Sequence, residues 1–338
     1  MTDPARVSTV VLNWNHPAMT LDCVRHLLAT QPVAAGTVVV IDNGSSAQNA
    51  AALRDGLPAG VDFVRNDRNL GFAAGMNVGI RRALQRSAEY VWLLNNDAFP
   101  RPGCLPALTT AMDSDRSLAA TTPMLFYPDG RPQLIGGRFE WGNPVIEPLF
   151  AGQLPPRPVV GIYVTGAALF VRAAALKHVG TLDPRFFAYW EEVDLCVRFI
   201  RGKWNLAGVP AAECVHIEGA TSGDGMSPFT QYMFTRNSYL IAYKNLPARR
   251  AAVAGLRLTA EAFDRALWLR RHNHSAVAAA MLAGASDGLL HRFGPPPAGT
   301  LDAPRLRRAL YWKPWRSMPL LQGLTARLAA GYRPPVED

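Results

Sequence analysis

The stretch YVWLLNNDAFP, residues 90–100, ends an apolar run on two amides and a carboxylate, Asn95, Asn96 and Asp97. These residue types are common in turns, so a turn without a ligand is one interpretation. The other is a cation site, because Mg²⁺ and Mn²⁺ bind carboxylate oxygens, keep several waters and also bind substrate phosphates. On that interpretation Asp97 bridges the cation to a diphosphate.

The stretch YWEEVDL, residues 189–195, carries three carboxylates, those of Glu191, Glu192 and Asp194. On a helix, Glu191 and Asp194 share a face and Glu192 points elsewhere. Clustered acids raise one another's pKa, which suits a general base near neutral pH; an exposed first helical turn favoured by the helix dipole is the alternative. His216, which ends another apolar run, is either structural or a further ligand of a carboxylate cation site.

Two more stretches suit a nucleotide. Asp42 ends the run VVVID, where its carboxylate either accepts a hydrogen bond from a base or ribose or caps an Asx turn. Gly71, Gly75 and Gly79 recur every four residues in RNLGFAAGMNVGI, a spacing that differs from the G-x-G-x-x-G and P-loop patterns. It predicts a closely packed loop and helix start, either binding a phosphate through backbone N–H groups or packing without a ligand.

These residues lie in a regular alternation of apolar runs and helical stretches. Strands are predicted at 7–13, 37–45, 61–66 and 90–97, and helices between them at 18–31, 49–57 and 74–87. The alternation predicts an α/β fold with a doubly wound, mostly parallel sheet. Sites in such sheets lie beyond the carboxyl ends of the strands. Polar residues gather at those predicted ends: Asn13, Asn15, Asp42, Asn43, Asn66, Asn95, Asn96 and Asp97.

The second half is less regular. Its pattern predicts a turn at 127–133, a strand followed by a helix at 164–180, a helix at 188–203, an extended run at 204–217, a long amphipathic helix at 227–246, and helices at 249–271 and 275–293.

Composition limits the class of protein. The chain has 338 residues, of which 49% are hydrophobic, enough for one large core and a smaller unit. We expect no secretory signal and no spanning helix, since no stretch reaches the roughly 20 apolar residues that a span needs. Four cysteines lack metal or redox spacing, so we expect them to be reduced and buried: Cys23, Cys104, Cys196 and Cys214.

The positive charge is concentrated at one end of the sequence. Residues 1–247 hold 21 Lys and Arg against 20 Asp and Glu, whereas residues 248–338 hold 14 against 6. A basic segment suits an anionic partner: membrane headgroups, nucleic acid or a phosphorylated substrate. A solvated helical face is the alternative. Tryptophans lie among these charges, with Trp268 beside Arg270 and Arg271, and Trp312 and Trp315 among Lys313 and Arg316.

Six stretches, taken in order, resemble the inverting family 2 glycosyltransferases with a GT-A fold, and within them the bacterial rhamnosyltransferase branch. Arg236 and Asn237, in an aromatic-rich helix, also fit that branch. The six stretches are VVLNWNHPAMTLDCVRHL, VVVIDNGSS, NLGFAAGMNVGI, YVWLLNNDAFP, the run from VTGAALFV to DLCVRFIRGKW, and VHIEGATS.

The resemblance implies a role for each candidate residue. Asp42 would hold the nucleobase, while Asp97 and His216 would bind Mg²⁺ or Mn²⁺. Glu192 falls where the family has its catalytic Asp, with Glu191 as the alternative base, and Asp194 would orient the helix or the acceptor. The full set expected to contact the nucleotide-sugar is Asn13, Asn15, Asp42, Asn43, Asn69, Gly71, Asn77, Asn95, Asn96 and Arg236.

The implied enzyme is an inverting, metal-dependent hexosyltransferase of bacterial cell-wall or polysaccharide synthesis. It would move L-rhamnose from dTDP-rhamnose to a hydroxyl of a saccharide, lipid-linked or small-molecule acceptor. Alternatives are a UDP-sugar-dependent transferase with a soluble acceptor, a nucleotidyltransferase, or a non-enzymatic nucleic-acid-binding or membrane-scaffold protein.

The implied organisation is a catalytic GT-A domain at 1–247, with a nucleotide-sugar half at 1–100 and an acceptor half at 101–247, followed by a basic helical segment at 248–338. We expect a cytoplasmic enzyme without a nucleic-acid partner. The helical segment would contact the inner face of the membrane peripherally, or form a homodimer.

Overall fold

The computed structural model describes residues 6–143, 146–217, 226–297 and 299. These divide into two compact units. The first contains residues 6–139 and 146–217, and the second contains 140–143 and the chain from 226 onwards. The division thus precedes the helix at 228–245, whereas the sequence predicts a boundary at 247.

The first unit alternates strands and helices, and its buried strands are mostly apolar, with polar side chains such as Asn13 and Asp42 at strand ends. Its first half comprises β1 (Val7–Asn13), α1 (Pro17–Thr30), β2 (Val38–Asp42), α2 (Ala47–Gly56), β3 (Asp62–Arg65), α3 (Phe72–Gln85), β4 (Tyr90–Asn95), β5 (Ala98–Pro100) and α4 (Cys104–Ser114). Its second half comprises β6 (Leu118–Phe126), β7 (Pro132–Leu134), β8 (Gly136–Phe139), β9 (Ile146–Leu149), β10 (Ile162–Val164), β11 (Ala168–Arg172), α5 (Ala173–Val179), α6 (Glu191–Arg201) and β12 (Asn205–His216).

Among the described residues the main sheet runs in the order β3-β2-β1-β4-β11-β6-β12-β5, and β7 pairs with β6. The pairs β3–β2, β2–β1, β1–β4 and β6–β12 are parallel, and β11 is antiparallel to both neighbours. The predicted α/β sheet is therefore confirmed. Trp92 and Phe170 meet edge to face in its fully buried core.

The predicted strand at 90–97 is two strands. β4 ends at Asn95 beside β1 and β11, and after a two-residue turn β5 pairs with β12 at the edge of the sheet. The turn therefore connects separate positions in the sheet. The predicted strand at 37–45 ends instead at Asp42, because Asn43 and Ser45 hydrogen-bond to the neighbouring loops.

A smaller sheet of β10, β8 and β9 accompanies the main one. The predicted turn at 127–133 joins β6 to β7, with Gly130 in the left-handed region at φ 85° and its N–H donating to Tyr127 O. All four cysteines are buried and free, as the sequence predicts.

Among its described residues, the second unit contains the helices α7 (Pro228–Asn245), α8 (Ala248–Arg271) and α9 (Ser275–Leu289). The prediction that α7 is amphipathic is wrong. Polar as well as apolar side chains of α7 are buried, because the helix packs against both α8 and α9. Tyr239 of α7 contributes to the same core cluster as Leu258 of α8 and Met281 of α9. No helix in the described part of the chain has the length and apolar character to cross a bilayer.

Candidate active site

Asp97 and His216 meet where β5 pairs with β12. His216 is aligned with Ala98, and its Nε2 lies 3.3 Å from Asp97 Oδ1. The Nδ1 of the same ring lies 3.1 Å from Gln133 Oε1, a carbonyl oxygen that can only accept. A neutral His216 therefore donates from Nδ1 and turns the lone pair of Nε2 towards the carboxylate. Two electron-rich atoms so close together suit a shared cation or a proton.

Asn95 lies beside this pair. Its side-chain oxygen is buried without a hydrogen-bond partner, and its Nδ2 is 3.5 Å from His216 Nε2. The following Asn96 is buried and donates instead to Thr20 Oγ1, over 3.0 Å. An unsatisfied buried carbonyl is costly, so its presence here is a reason to expect a ligand. Within the described ranges, no group of three or more His, Cys, Asp or Glu side chains forms a cation site.

Asn13 and Asp42 end the neighbouring strands β1 and β2 and are bonded to each other. Asn13 Nδ2 donates to Asp42 Oδ1 over 2.9 Å and to Ser45 Oγ over 3.2 Å. Both side chains are completely buried. Arg65 covers the other carboxylate oxygen of Asp42 at 3.5 Å. Asn15, at φ 57°, ties the adjoining turn by accepting from Ser46 N. The carboxylate thus lies behind Arg65 in this structure.

Asn43, Asn69 and Gly71 form a third group, which fixes the loop before α3. Asn43 Nδ2 donates to Asn69 Oδ1 over 3.0 Å and to Gly71 O over 3.1 Å, and its Oδ1 accepts from Leu70 N. Gly71 has φ 83°, and a Cβ there would lie 2.5 Å from Phe187 Cδ2. The predicted glycine loop is therefore closely packed, and its first glycine cannot carry a side chain without displacing Phe187.

Asn77 does not join these groups. Its amide lies in the interior and is bonded twice to the backbone of one residue, with Nδ2 donating to Leu182 O over 2.7 Å and Oδ1 accepting from Leu182 N over 3.1 Å. Five residues further along that segment, Phe187 O accepts from Ala73 N. The first turns of α3 therefore hold the segment 182–187 at both ends. Contact of Asn77 with the donor stays a prediction.

The held segment leads directly into α6 and its acids. Phe187, Tyr189 and Trp190 have positive φ angles of 65°, 67° and 74°. This backbone conformation costs a bulky residue about 1–3 kcal/mol of conformational free energy, and residues that adopt it cluster at functional sites. Glu191 and Glu192 follow at the start of the helix. The alternative of an exposed acidic turn does not hold, because Glu191 is only 6% exposed and each glutamate has one buried carboxylate oxygen without a partner.

The surroundings of the two glutamates favour their protonated forms. Burial raises the pKa of Glu191 well above its ordinary value, and the neighbouring Glu192 charge raises it further. Burial likewise raises the pKa of Glu192. A Cβ at Gly166 would lie 3.2 Å from Glu192 Cβ, so a side chain there would make Glu192 shift by a few tenths of an ångström. Beneath them, burial raises the pKa of Cys196 to about 12, so this thiol is not a nucleophile near neutral pH.

Asp194 serves the helix. Its Oδ2 accepts from Arg198 Nε over 2.8 Å, and the same guanidinium donates to Val179 O, Gly180 O and Thr181 O. Asp194 is fully buried, so the ion pair is shielded from water. Through Arg198 it ties α6 to the loop that precedes the held segment, which agrees with a role in orienting the helix.

Arg236 is fully buried within the second unit. It donates to Gly294 O over 2.7 Å and lies over the ring of Tyr232 at 5.5 Å. Desolvation lowers its pKa. Its contact with a nucleotide-sugar stays a prediction.

Two residues outside the predicted set lie among these groups. Trp14 is 40% exposed between the buried Asn13 and the strained Asn15. Arg65 bonds Ser45 O and covers Asp42. The sequence signal for Trp14 is an aromatic between two asparagines at a strand end; Arg65 carries no such signal, because nothing in its stretch distinguishes it from other surface arginines.

Two solved structures share the fold. The mannosyltransferase PcManGT from Pyrobaculum calidifontis, in complex with GDP-Man and Mn²⁺, superposes with a TM-score of 0.51 at 16% identity over 96% of this chain and 86% of that chain. GalNAc-T7 with UDP, GalNAc and Mn²⁺ gives 0.51 at 18% identity over 71% of this chain and 51% of that chain. The protein thus has the GT-A fold of nucleotide-sugar transferases, as expected.

Within that class the family follows from the sequence. The model of Glycosyl transferase family 2 matches residues 8–178, and the chain belongs to this family. It is 30% identical over 212 residues to N-acetylglucosaminyl-diphospho-decaprenol L-rhamnosyltransferase of Mycobacterium tuberculosis, covering 55% of this chain and 68% of the relative. Galactofuranosyltransferase GlfT1 of the same organism is 29% identical over 53% of this chain and 58% of the relative.

A third relative, dTDP-rhamnosyl transferase RfbF of Shigella flexneri, is 25% identical over 62% of this chain and 71% of its own length. The expected rhamnosyltransferase-like branch is confirmed by these similarities.

Proposed function

We propose that this glycosyltransferase is an inverting, divalent-metal-dependent enzyme that transfers L-rhamnose from dTDP-L-rhamnose to a hydroxyl of a lipid-diphosphate-linked saccharide. The observation that carries the chemistry is the Asp97–His216 pair beside the unsatisfied Asn95 oxygen. The relatives named as rhamnosyltransferases support the sugar, and the acceptor in the name of the Mycobacterium tuberculosis relative supports the lipid-linked acceptor.

The residues present fit a divalent cation. Two neighbouring ligands of an octahedral ion at about 2.1 Å lie about 3 Å apart, close to the 3.3 Å between Asp97 Oδ1 and His216 Nε2. Asp97 and His216 would hold Mg²⁺ or Mn²⁺, with Asn95 Oδ1 as a further oxygen and the donor diphosphate completing the set. When bound, the cation would neutralise charge that grows on the leaving diphosphate.

Glu192 acts as the base in this proposal, with Glu191 as the alternative. It removes the proton of the acceptor hydroxyl, and the acceptor oxygen attacks the anomeric carbon on the side opposite the leaving diphosphate, which inverts that carbon. A raised pKa suits this work, because a base is most effective when its pKa is near the working pH. Trp14 offers an exposed aromatic surface to a nucleobase, and Arg65 offers a cation.

A donor panel tests the proposal. The protein is incubated with dTDP-L-rhamnose, UDP-hexoses or a galactofuranosyl nucleotide, together with a polyprenyl-diphosphate-linked N-acetylglucosamine, and the product's anomeric configuration is determined. We expect turnover of dTDP-L-rhamnose with inversion, abolished in Asp97→Ala. Because GlfT1 is almost as similar, a galactofuranosyl donor is the second candidate. Exclusive turnover of another donor would reject the rhamnosyl assignment, and retention would reject the single-displacement mechanism.

A further inference from the structure

The end of α8 and the turn into α9 carry an exposed tryptophan. Trp268 is 54% exposed, and its ring stacks on His272 with centroids 4.1 Å apart. The core face of α8 is formed by other residues, among them Ala262, Ala266 and Leu269. Residues 270–276 are all exposed. We call Arg265 and residues 268–274 the α8–α9 tip.

The exposed charges of the α8–α9 tip have one sign. Arg265, Arg270 and Arg271 are exposed, and none of them forms an ion pair within the described part of the chain. The sequence has no Asp or Glu between Asp264 and Asp287. Cations at a helix C-terminus are favoured by the helix dipole, which accounts for Arg270 and Arg271 but not for an exposed indole one turn away from them.

We propose that the α8–α9 tip docks on a bilayer surface that contains anionic phospholipids. Indole rings prefer the headgroup region of a bilayer, where arginines can pair with lipid phosphates. Such docking is peripheral, because it buries one side chain and needs no spanning helix. It is an interaction of its own and does not depend on which sugar or acceptor the enzyme uses, so it is measured without donor or acceptor.

The energetics predict a measurable effect of single side chains. Each arginine near an anionic bilayer contributes to the free energy of binding. Replacing two of them should lower the partition coefficient between water and the bilayer about 30-fold. Removing the indole should weaken it several-fold even on bilayers with few charges. All three side chains are exposed, so their replacement should leave the helices folded.

The test is co-sedimentation of the full chain with vesicles of equimolar phosphatidylcholine and phosphatidylglycerol, and with phosphatidylcholine alone. We compare the unaltered chain with Trp268→Ala and with the double variant Arg270→Gln, Arg271→Gln. The control is Arg81→Gln with Arg116→Gln, which removes the same charge from exposed arginines of the first unit. Circular dichroism checks that each is folded.

We expect salt-sensitive binding to the anionic vesicles, reduced in both tip variants and retained in the control. Absence of binding by the unaltered chain at low salt would overturn the proposal. An equal loss of vesicle binding in the control would also overturn it, because only net charge would then matter. Undiminished binding of both tip variants would overturn it as well, because binding would then belong to another part of the chain. The donor panel can reject the rhamnosyl assignment while vesicle binding is observed, and vesicle binding can be absent while the donor panel supports that assignment. The two proposals can therefore be rejected independently.

Discussion

At the scale of single residues, the proposed metal pair is testable without any acceptor. Asp97→Asn and His216→Gln should each weaken Mn²⁺-dependent binding of a nucleoside diphosphate by at least about tenfold, because loss of a group that merely supports a ligand already costs 10–100-fold. Isothermal titration calorimetry with and without Mn²⁺ measures this. Asp22→Asn, an exposed carboxylate on α1, is the control. Unchanged Mn²⁺-dependent affinity in both variants would contradict the cation site.

The raised pKa of the glutamates gives a prediction about pH. A base must be deprotonated to accept a proton, so turnover should fall as pH drops through a pKa above the ordinary carboxyl range. Glu192→Gln should lower kcat by about 10²–10⁴-fold and remove this acidic limb, with donor KM little changed.

The measurement is the pH profile of kcat for the unaltered chain, Glu192→Gln and Glu191→Gln. The two glutamates are adjacent and both are desolvated, so each serves as the control for the other. If Glu191→Gln loses the limb and Glu192→Gln retains it, the base is Glu191.

At the scale of elements, α3 couples the glycine loop to the helix that carries the acids. Asn77 and Ala73 hold the segment 182–187 that leads into α6. We expect Asn77→Leu, which removes both hydrogen bonds, to misplace Glu192 and lower kcat up to about 10²-fold, as misplacement of a catalytic group by about 1 Å can do. Asn77 would thus be a positioning residue.

The test of Asn77 separates this role from general destabilisation. The kcat, the donor KM and the pH profile are measured at a temperature where the variant is folded, with Gln85→Leu at the exposed end of the same helix as control. A fall in kcat with a shifted acidic limb and little change in KM supports positioning. A rise in donor KM with kcat unchanged would instead make Asn77 a donor ligand, as the resemblance to family 2 glycosyltransferases implies.

The strands and helices could largely be predicted from the sequence where a local pattern of apolar and polar residues determines them. The alternation of strands and helices from 7 to 97 is local, and so are the acids of YWEEVDL. The break of the predicted fourth strand is not decided locally. β5 begins at Ala98 because it pairs with Cys214–His216 of β12, which follow more than a hundred residues later. The same limit explains Asn77, because its amide meets the backbone N–H and C=O of Leu182 only in the folded chain.

At the scale of the whole molecule, the second unit depends on close helix contacts. A Cβ at Gly284 would overlap the backbone oxygen of Tyr232 on α7. The higher helix propensity of alanine should stabilise the helix by about 1 kcal/mol, but overpacking costs about 1–3 kcal/mol, and a backbone oxygen cannot rotate away. We therefore expect Gly284→Ala to lower the free energy of unfolding by up to about 2 kcal/mol.

Thermal unfolding of the full chain measures this. Ser286→Ala, a half-buried position on the same helix, should be neutral or slightly stabilising and is the control. A higher melting temperature in Gly284→Ala would show that α7 and α9 are not in this contact. If the two units unfold in separate transitions, only one of them should shift.

The sequence predicts less about this unit than about the first. The close approach of α9 to α7 and the hydrogen bond from Arg236 to Gly294 O depend on contacts between residues distant in sequence. The polar residues of α7 suggest a solvated face, but many of them are buried. The prediction for Trp312 and Trp315 falls outside the described residues.

The turn between β4 and β5 has a consequence for biosynthesis. Asn95 and His216 are 121 residues apart in sequence, yet Asn95 Nδ2 lies 3.5 Å from His216 Nε2. A ribosome that has released only the first hundred residues has already made β1 to β4, but β5 still lacks its partner strand. The nascent chain thus carries Asp97 without the imidazole of His216 opposite it, and the complete pair can form only after β12 has emerged.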